Sequence, residues 1–143
     1  MENLLTEIEV EKILSDLKKD EYRNDGISHL GRNKTSIILH SKESGLILIR
    51  GNEDTGYEHI LNRHSLFSRI PYRDNPSKIR LEMPPIEWLT VLSKIFKNEN
   101  LNIEKNQFPD KFDLYQGEHE HFDNKKIRYR LITYKNTGII HTF

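Results

Sequence analysis

The alternation of apolar and polar positions divides the chain into a few strong segments. From Thr6 to Lys19, the residues Val10, Ile13, Leu14 and Leu17 recur at helical spacing, and Thr6 and Glu9 stand in the relation of a capping box. Lys18 and Lys19 close that stretch, where the helix dipole favours cations. A helix is therefore expected over 6–19. Residues 20–34, rich in Asn, Asp, Gly and Ser, read as a loop. Two apolar runs, Thr35 to His40 and Leu46 to Ile49, flank Lys42-Glu43-Ser44-Gly45 and predict a β-hairpin. Thr55 and Glu58 repeat the capping-box spacing, so a second helix should begin at 55 or 56 with Tyr57, Ile60 and Leu61 as its buried stripe. Residues 79–83 suit a short strand. Pro84-Pro85 then opens a third helix carrying Trp88, Leu89, Leu92, Ile95 and Phe96.

Residues 101–126 show no regular period and are expected to be mostly loop. Ile127 to Tyr134 alternates, Lys135-Asn136-Thr137-Gly138 is turn chemistry, and Ile139 to Phe143 completes a hairpin. Pairing Tyr134 with Ile139 would put Arg128, Arg130, Tyr134, His141 and Phe143 on one face. Ile127, Tyr129, Leu131, Ile140 and Thr142 would share the other, more apolar face, which is assigned to helix packing. A one-residue slip would bring Thr142 to the first face. These elements predict an α+β fold: two or three helices packed on one face of a curved antiparallel sheet, ending in a C-terminal β-hairpin. One domain spans 1–143, with its core from about residue 35 onward.

Composition narrows the chemistry. The 143 residues balance 22 basic against 22 acidic side chains, which excludes a uniformly basic nucleic-acid glove but leaves room for a local basic patch. Absence of cysteine removes disulfides, thiol nucleophiles and cysteine-ligated zinc. The start, Met1-Glu2-Asn3-Leu4-Leu5, has no signal-peptide pattern, and no apolar run reaches membrane-spanning length. Neither a membrane partner nor a cofactor is expected.

Candidate chemistry concentrates at 56–65, where His59 and Arg63 lie one turn apart on the expected helix and His64 follows. A short helix with two histidines is more often an ordinary surface helix. Yet an imidazole can both take and give a proton near neutrality, and a guanidinium can hold a phosphate on two oxygens. The pairing suits phosphodiester chemistry without a metal. On the last hairpin, Arg130, Tyr134 and His141 are offered to solvent or substrate. Gly117-Glu118-His119-Glu120-His121-Phe122-Asp123 presents a second possibility, since histidines two apart on a strand could bind zinc and serve a metal-dependent hydrolase. An acidic, solvated loop explains that stretch better.

Gly56-Tyr57-Glu58-His59-Ile60-x-x-Arg63-His64, following an apolar strand, resembles the Gly-x-x-His-Ile-x-x-(Arg/Lys)-His signature of phage and polymorphic-toxin nucleases of the barnase–EndoU–colicin–RelE-like superfamily. The closing Ile139-Ile140-His141-Thr142-Phe143 is similar to the terminal His-Thr-(Phe/Ile)-Tyr strand of the same proteins. The likeness is carried by those two segments, with general element order over 35–143. The chain departs from the pattern in showing no delivery module and in stopping at Phe143, before the tyrosine and proline that often follow.

The resemblance implies a metal-independent endoribonuclease of toxin type, acting on RNA such as tRNA through the 2′-hydroxyl and neutralised by an immunity or antitoxin protein. It would act in a cytoplasm, that of a target cell if delivered. Carried over by motif, His59, Arg63, His64, His141 and Thr142 would be catalytic, with Arg130 and Tyr134 on the substrate. Which histidine is acid and which is base stays open. A non-catalytic immunity or phage accessory protein is the competing reading, favoured by the balanced charge. The hydrolase built on His119 and His121 is the third.

Overall fold

The computed structural model describes residues 4–18, 33–63, 85–121, 124 and 126–143, with Arg63 described by its backbone alone. The expected short strand at 79–83, most of the loop at 20–34 and His64 lie outside the described residues. Helix α1 (Glu7–Lys18) opens on the expected capping box: Glu9 N–H donates to Thr6 Oγ1 at 3.2 Å, and Thr6 N–H donates to Glu9 Oε1 at 3.0 Å. Strands β1 (Ile37–His40) and β2 (Ile47–Ile49) form the first antiparallel hairpin. Helix α2 (Gly56–Arg63) and helix α3 (Pro85–Ile95) follow, and then an antiparallel sheet of β3 (Phe112–Glu120), β4 (Lys126–Tyr134) and β5 (Ile140–Thr142) in that order. The protein is of the α+β class, with three helices among the described residues and two antiparallel sheets. Among the described residues no helix is long and apolar enough to cross a membrane.

The two sheets meet along β2 and β5, where a parallel bridge joins Ile47 to Ile139 and Ile47 N–H donates to the Gly138 carbonyl at 2.8 Å. Glycine is required there, because a Cβ on Gly138 would stand 1.9 Å from the Gly45 carbonyl oxygen. On one side, Trp88, Leu92 and Ile95 of α3 pack with Tyr115, Tyr129, Leu131 and Ile140. On the other side, Ile13 of α1 and the preceding Leu4 and Leu5 pack with Ile37, Ile47, Ile49, Phe112, Tyr134 and Ile139. Each fully buried Ile or Leu contributes about 1.5–3 kcal/mol relative to exposure.

Strand β3 corrects the expectation of a loop at 101–126. Its second half is polar on both faces, so no local pattern announces it. It is a strand because β4 offers a complementary partner: Glu118 lies opposite Arg128 and Glu120 opposite Lys126, while Phe112 pairs with Tyr134 at the apolar end. The acidic stretch from Gly117 to Glu120 is therefore sheet, not solvated loop.

The register of β5 carries the more consequential difference. Thr133 pairs with Ile140 as expected, but Ile132 pairs with Thr142, so His141 is an extra residue between them. Such a bulge lets two consecutive side chains leave the same side of the strand. Phe143 is correspondingly turned over: it packs on Trp88 and Tyr129, on the α3 side, rather than sharing a face with His141.

Candidate functional site

The bulge is what assembles the site. Thr142 stands beside His59 of α2, with Oγ1 and Nε2 3.1 Å apart. His141, one residue earlier, lies with its ring centroid 6.0 Å from that of His59, the two rings almost parallel at 4°. It also stacks on Phe112 of β3 at 4.4 Å. Helix α2 is aimed here by its own start, where Gly56 adopts φ +76° and a Cβ would press on the Ile49 carbonyl oxygen at 3.0 Å.

Hydrogen bonds fix the proton on each imidazole. His59 Nδ1 lies 2.9 Å from the carbonyl oxygen of Glu53, which can only accept. Nδ1 therefore carries the proton, and the neutral ring turns the Nε2 lone pair toward the Thr142 hydroxyl. His141 is held by a longer chain. Leu5 N–H donates to the Tyr134 hydroxyl at 3.1 Å, Tyr134 meets Thr55 Oγ1 at 2.7 Å, and Thr55 Oγ1 meets His141 Nδ1 at 2.9 Å. Each hydroxyl has a single proton. Every donor is used only when Tyr134 donates to Thr55 and Thr55 donates to His141 Nδ1. The reverse direction would leave the proton of a buried phenol with no acceptor, a loss of about 1–3 kcal/mol. The neutral His141 ring therefore carries its proton on Nε2. The two imidazoles thus present opposite faces of the same chemistry: a lone pair at His59 Nε2 and an N–H at His141 Nε2.

Tyr134 has a different position from the one its strand face suggested. It is 3 % exposed, and its hydroxyl is engaged by Leu5 and Thr55, so it supports His141 rather than reaching substrate. Burial pushes its phenol up, more than the hydrogen bonds with Leu5 and Thr55 pull it down, so the chain keeps its proton into alkaline pH. Thr55, expected as a helix cap, is fully buried within that chain instead. The capping box at 55 and 58 does not form: Glu58 N–H donates to the Arg50 carbonyl, and the Glu58 carboxylate pairs with Arg50 Nε at 3.1 Å.

Arg130 is exposed on β4 and shares with His141 the lining of a cavity of about 230 Å³. Arg63 ends α2, one turn beyond His59, and its side chain, like the whole of His64, lies outside the described residues. Of the expected site residues, the structure thus brings together His59, His141 and Thr142, sets Arg130 beside them and places Tyr134 behind them. Sequence reasoning missed the Glu53 carbonyl, Thr55 as a partner of His141, and Phe112. Only Thr55 had a visible signal, and that signal pointed to capping.

The histidines of β3 form a separate cluster. His119 and His121 are perpendicular at 4.7 Å, and His121 Nε2 is 2.7 Å from the Tyr129 hydroxyl. Burial pushes Tyr129 up to about 12 and, with the Lys94 and His121 charges adding, pulls His119 below its ordinary value. Among the described residues, no group of three or more His, Asp or Glu side chains gathers there or elsewhere in metal-binding geometry.

No protein-family model, curated protein or solved structure matches this chain.

Proposed function

We propose that the protein is a metal-independent endoribonuclease of toxin type. The observation that supports this reading best is the pair of parallel imidazoles with opposite Nε2 chemistry, 6.0 Å apart. At that spacing one phosphodiester can be served by both rings. His59 Nε2 takes the proton of a ribose 2′-hydroxyl, which approaches where Thr142 Oγ1 now stands. The 2′-oxygen bonds to phosphorus, the bond from phosphorus to the 5′-oxygen breaks, and that oxygen takes the Nε2 proton of His141, which enters the step as an imidazolium and leaves it neutral while His59 ends as the imidazolium. The products are a 2′,3′-cyclic phosphate and a 5′-hydroxyl.

A pentacoordinate phosphorane carries more negative charge than the diester. Arg130, which shares the cavity lining with His141, supplies a guanidinium to meet it, and Arg63, one turn beyond His59 in the sequence of α2, is the second candidate. The substrate is RNA, with tRNA a candidate, the setting a cytoplasm, and the natural partner an immunity or antitoxin protein that covers the site.

Incubating purified protein with total RNA, with and without a chelator, tests this. Cleavage that resists chelation, with cyclic phosphate ends, is expected. Loss of cleavage on chelation would point to the His119 and His121 hydrolase, and absence of cleavage to a non-catalytic interaction protein.

A further inference from the structure

We propose that the cavity beside His141 is a nucleobase pocket, which seats the base of the nucleotide whose phosphate is cut. The inference rests on the RNA-cleavage reading and assigns that site its sequence preference. The cavity, about 230 Å³, lies between the 102–111 segment and the face of β3 and β4 opposite α3. That is below the roughly 300–1,000 Å³ of pockets that enclose larger ligands, and it suits one nucleobase. It shares His141 and Arg130 with the proposed reaction site, so a base held here has its own phosphate within reach of the imidazoles.

The lining has the chemistry of base recognition. Phe108 supplies the aromatic surface over a floor of buried Phe112 and partly buried Ile132, and it remains 49 % exposed, an apolar ring that packing within the chain leaves half uncovered. Bases stack on such rings, and RNA-binding proteins read their edges with amides. Gln107 supplies the amide: it lines the cavity, is exposed, and makes no hydrogen bond with any described residue. Carrying one acceptor and two donors, it can discriminate between base edges.

The pocket is also built in advance. Asn106 Nδ2 donates to the Phe112 carbonyl at 2.8 Å, and Asn106 Oδ1 accepts from Phe108 N–H at 3.1 Å. Phe112 N–H donates to the Phe108 carbonyl at 2.9 Å, and Asn102 Nδ2 donates to Gln116 Oε1 at 2.9 Å. These bonds pin the segment to β3, so the rings stand in place without waiting for a ligand, which lowers the ordering cost of binding.

The test titrates the four 3′-nucleoside monophosphates and ribose 5-phosphate into the full chain by calorimetry, with RNA cleavage followed in parallel. At least one nucleotide should bind more tightly than ribose 5-phosphate. Phe108→Ala should weaken that nucleotide by about five- to a hundredfold, the loss of one stacked base, while Phe108→Trp retains it and ribose 5-phosphate is unaffected. Gln107→Ala should flatten the preference among bases. Because Phe108 is half exposed, Phe108→Ala should melt near the wild-type temperature. Equal affinity for all nucleotides and ribose 5-phosphate, or a Phe108→Ala variant with unchanged affinity, would overturn the pocket. RNA cleavage accompanied by either result leaves the nuclease reading standing without it. Base-selective binding with no RNA cleavage would keep the pocket and remove the nuclease.

Discussion

Two segments of this chain share the pattern Thr-x-x-Glu at the start of a helix, and they fold differently. Thr6-Glu7-Ile8-Glu9 closes the reciprocal hydrogen bonds of a capping box. Thr55-Gly56-Tyr57-Glu58 does not: its threonine turns to Tyr134 and His141, and its glutamate to Arg50. The surroundings decide. Thr6 is exposed, and the amides of its own helix are the partners at hand. Thr55 is fully buried and is met by two polar groups from the C-terminal hairpin, each of which would lose a buried hydrogen bond without it. A local cap contributes about 1 kcal/mol. Abandoning two buried groups costs more, so tertiary contact overrides the local motif.

The sharpest way to break this contrast is to remove the imidazoles that Thr55 and Thr142 serve. His59→Ala and His141→Ala should each lower RNA cleavage by about a hundred- to ten-thousandfold, the range for losing a positioned proton-transfer group. A cleavage time course with a thermal melt separates chemistry from folding. His59 is only partly buried, so its variant should melt near the wild-type temperature. His141 is buried against Phe112, so its loss should also cost about 1–3 kcal/mol. Wild-type cleavage by His59→Ala would end the proposal. Next in size is Arg63. Arg63→Ala should lose roughly a hundredfold in single-turnover cleavage of saturating RNA, while Arg63→Lys keeps part of the rate and RNA binding changes little. An unchanged Arg63→Ala rate would make Arg63 a surface residue.

Thr55→Val and Thr6→Ala test the comparison itself. Thr55→Val should cost about 1–3 kcal/mol by chemical denaturation, because Tyr134 and His141 both lose a buried partner, and it should slow cleavage. Thr55→Ser should restore both. The phenol of Tyr134 gives a pH test of the same chain. Its folded value is raised above the unfolded one, so its contribution to stability is complete below the ordinary tyrosine range and is lost as pH rises through the folded value. Absorbance titration should show Tyr134 ionising late, together with Tyr129, whose phenol is pushed up to about 12. Early ionisation would mean that the phenol is not buried. Thr6→Ala should have the smallest effect: about 1 kcal/mol and no change in cleavage. Burial opposes ionisation of Glu9, but the Thr6 amide and the Lys34 ammonium outweigh it and hold its carboxyl low. Its share of stability is therefore present above the ordinary carboxylate range and fades as pH falls through the lowered value. A rate loss in Thr6→Ala would blur the distinction between the two threonines.

The elements legible in the sequence were those with a strong period of their own. The stripes of α1, α2 and α3 and the alternation of β4 depend on residues three, four or two apart, and they appear where expected. Strand β3 was not legible, because its polar half takes its conformation from charges on β4. The site was half legible. His59 and His141 stand out by residue type and motif. The bulge that sends His141 and Thr142 toward the same side does not, since Ile139-Ile140-His141-Thr142 reads equally well as an unbroken strand. The Glu53 carbonyl, which fixes the His59 proton, is backbone and has no sequence pattern at all.

The hydroxyl chain from Leu5 to His141 also sets an order in time. Its links join residues 129, 79 and 86 positions apart, so Leu5 and His141 must both be present before it closes. Translation supplies them in sequence, with His141 and Thr142 after Leu5, Thr55 and Tyr134. A growing polypeptide already carries Thr55 and His59 when these two have yet to be added, and contacts of such long separation form late even once the atoms exist. Under the proposed RNA-cleaving function, this order leaves the paired imidazoles unassembled in the early part of synthesis, beside an RNA-rich ribosome.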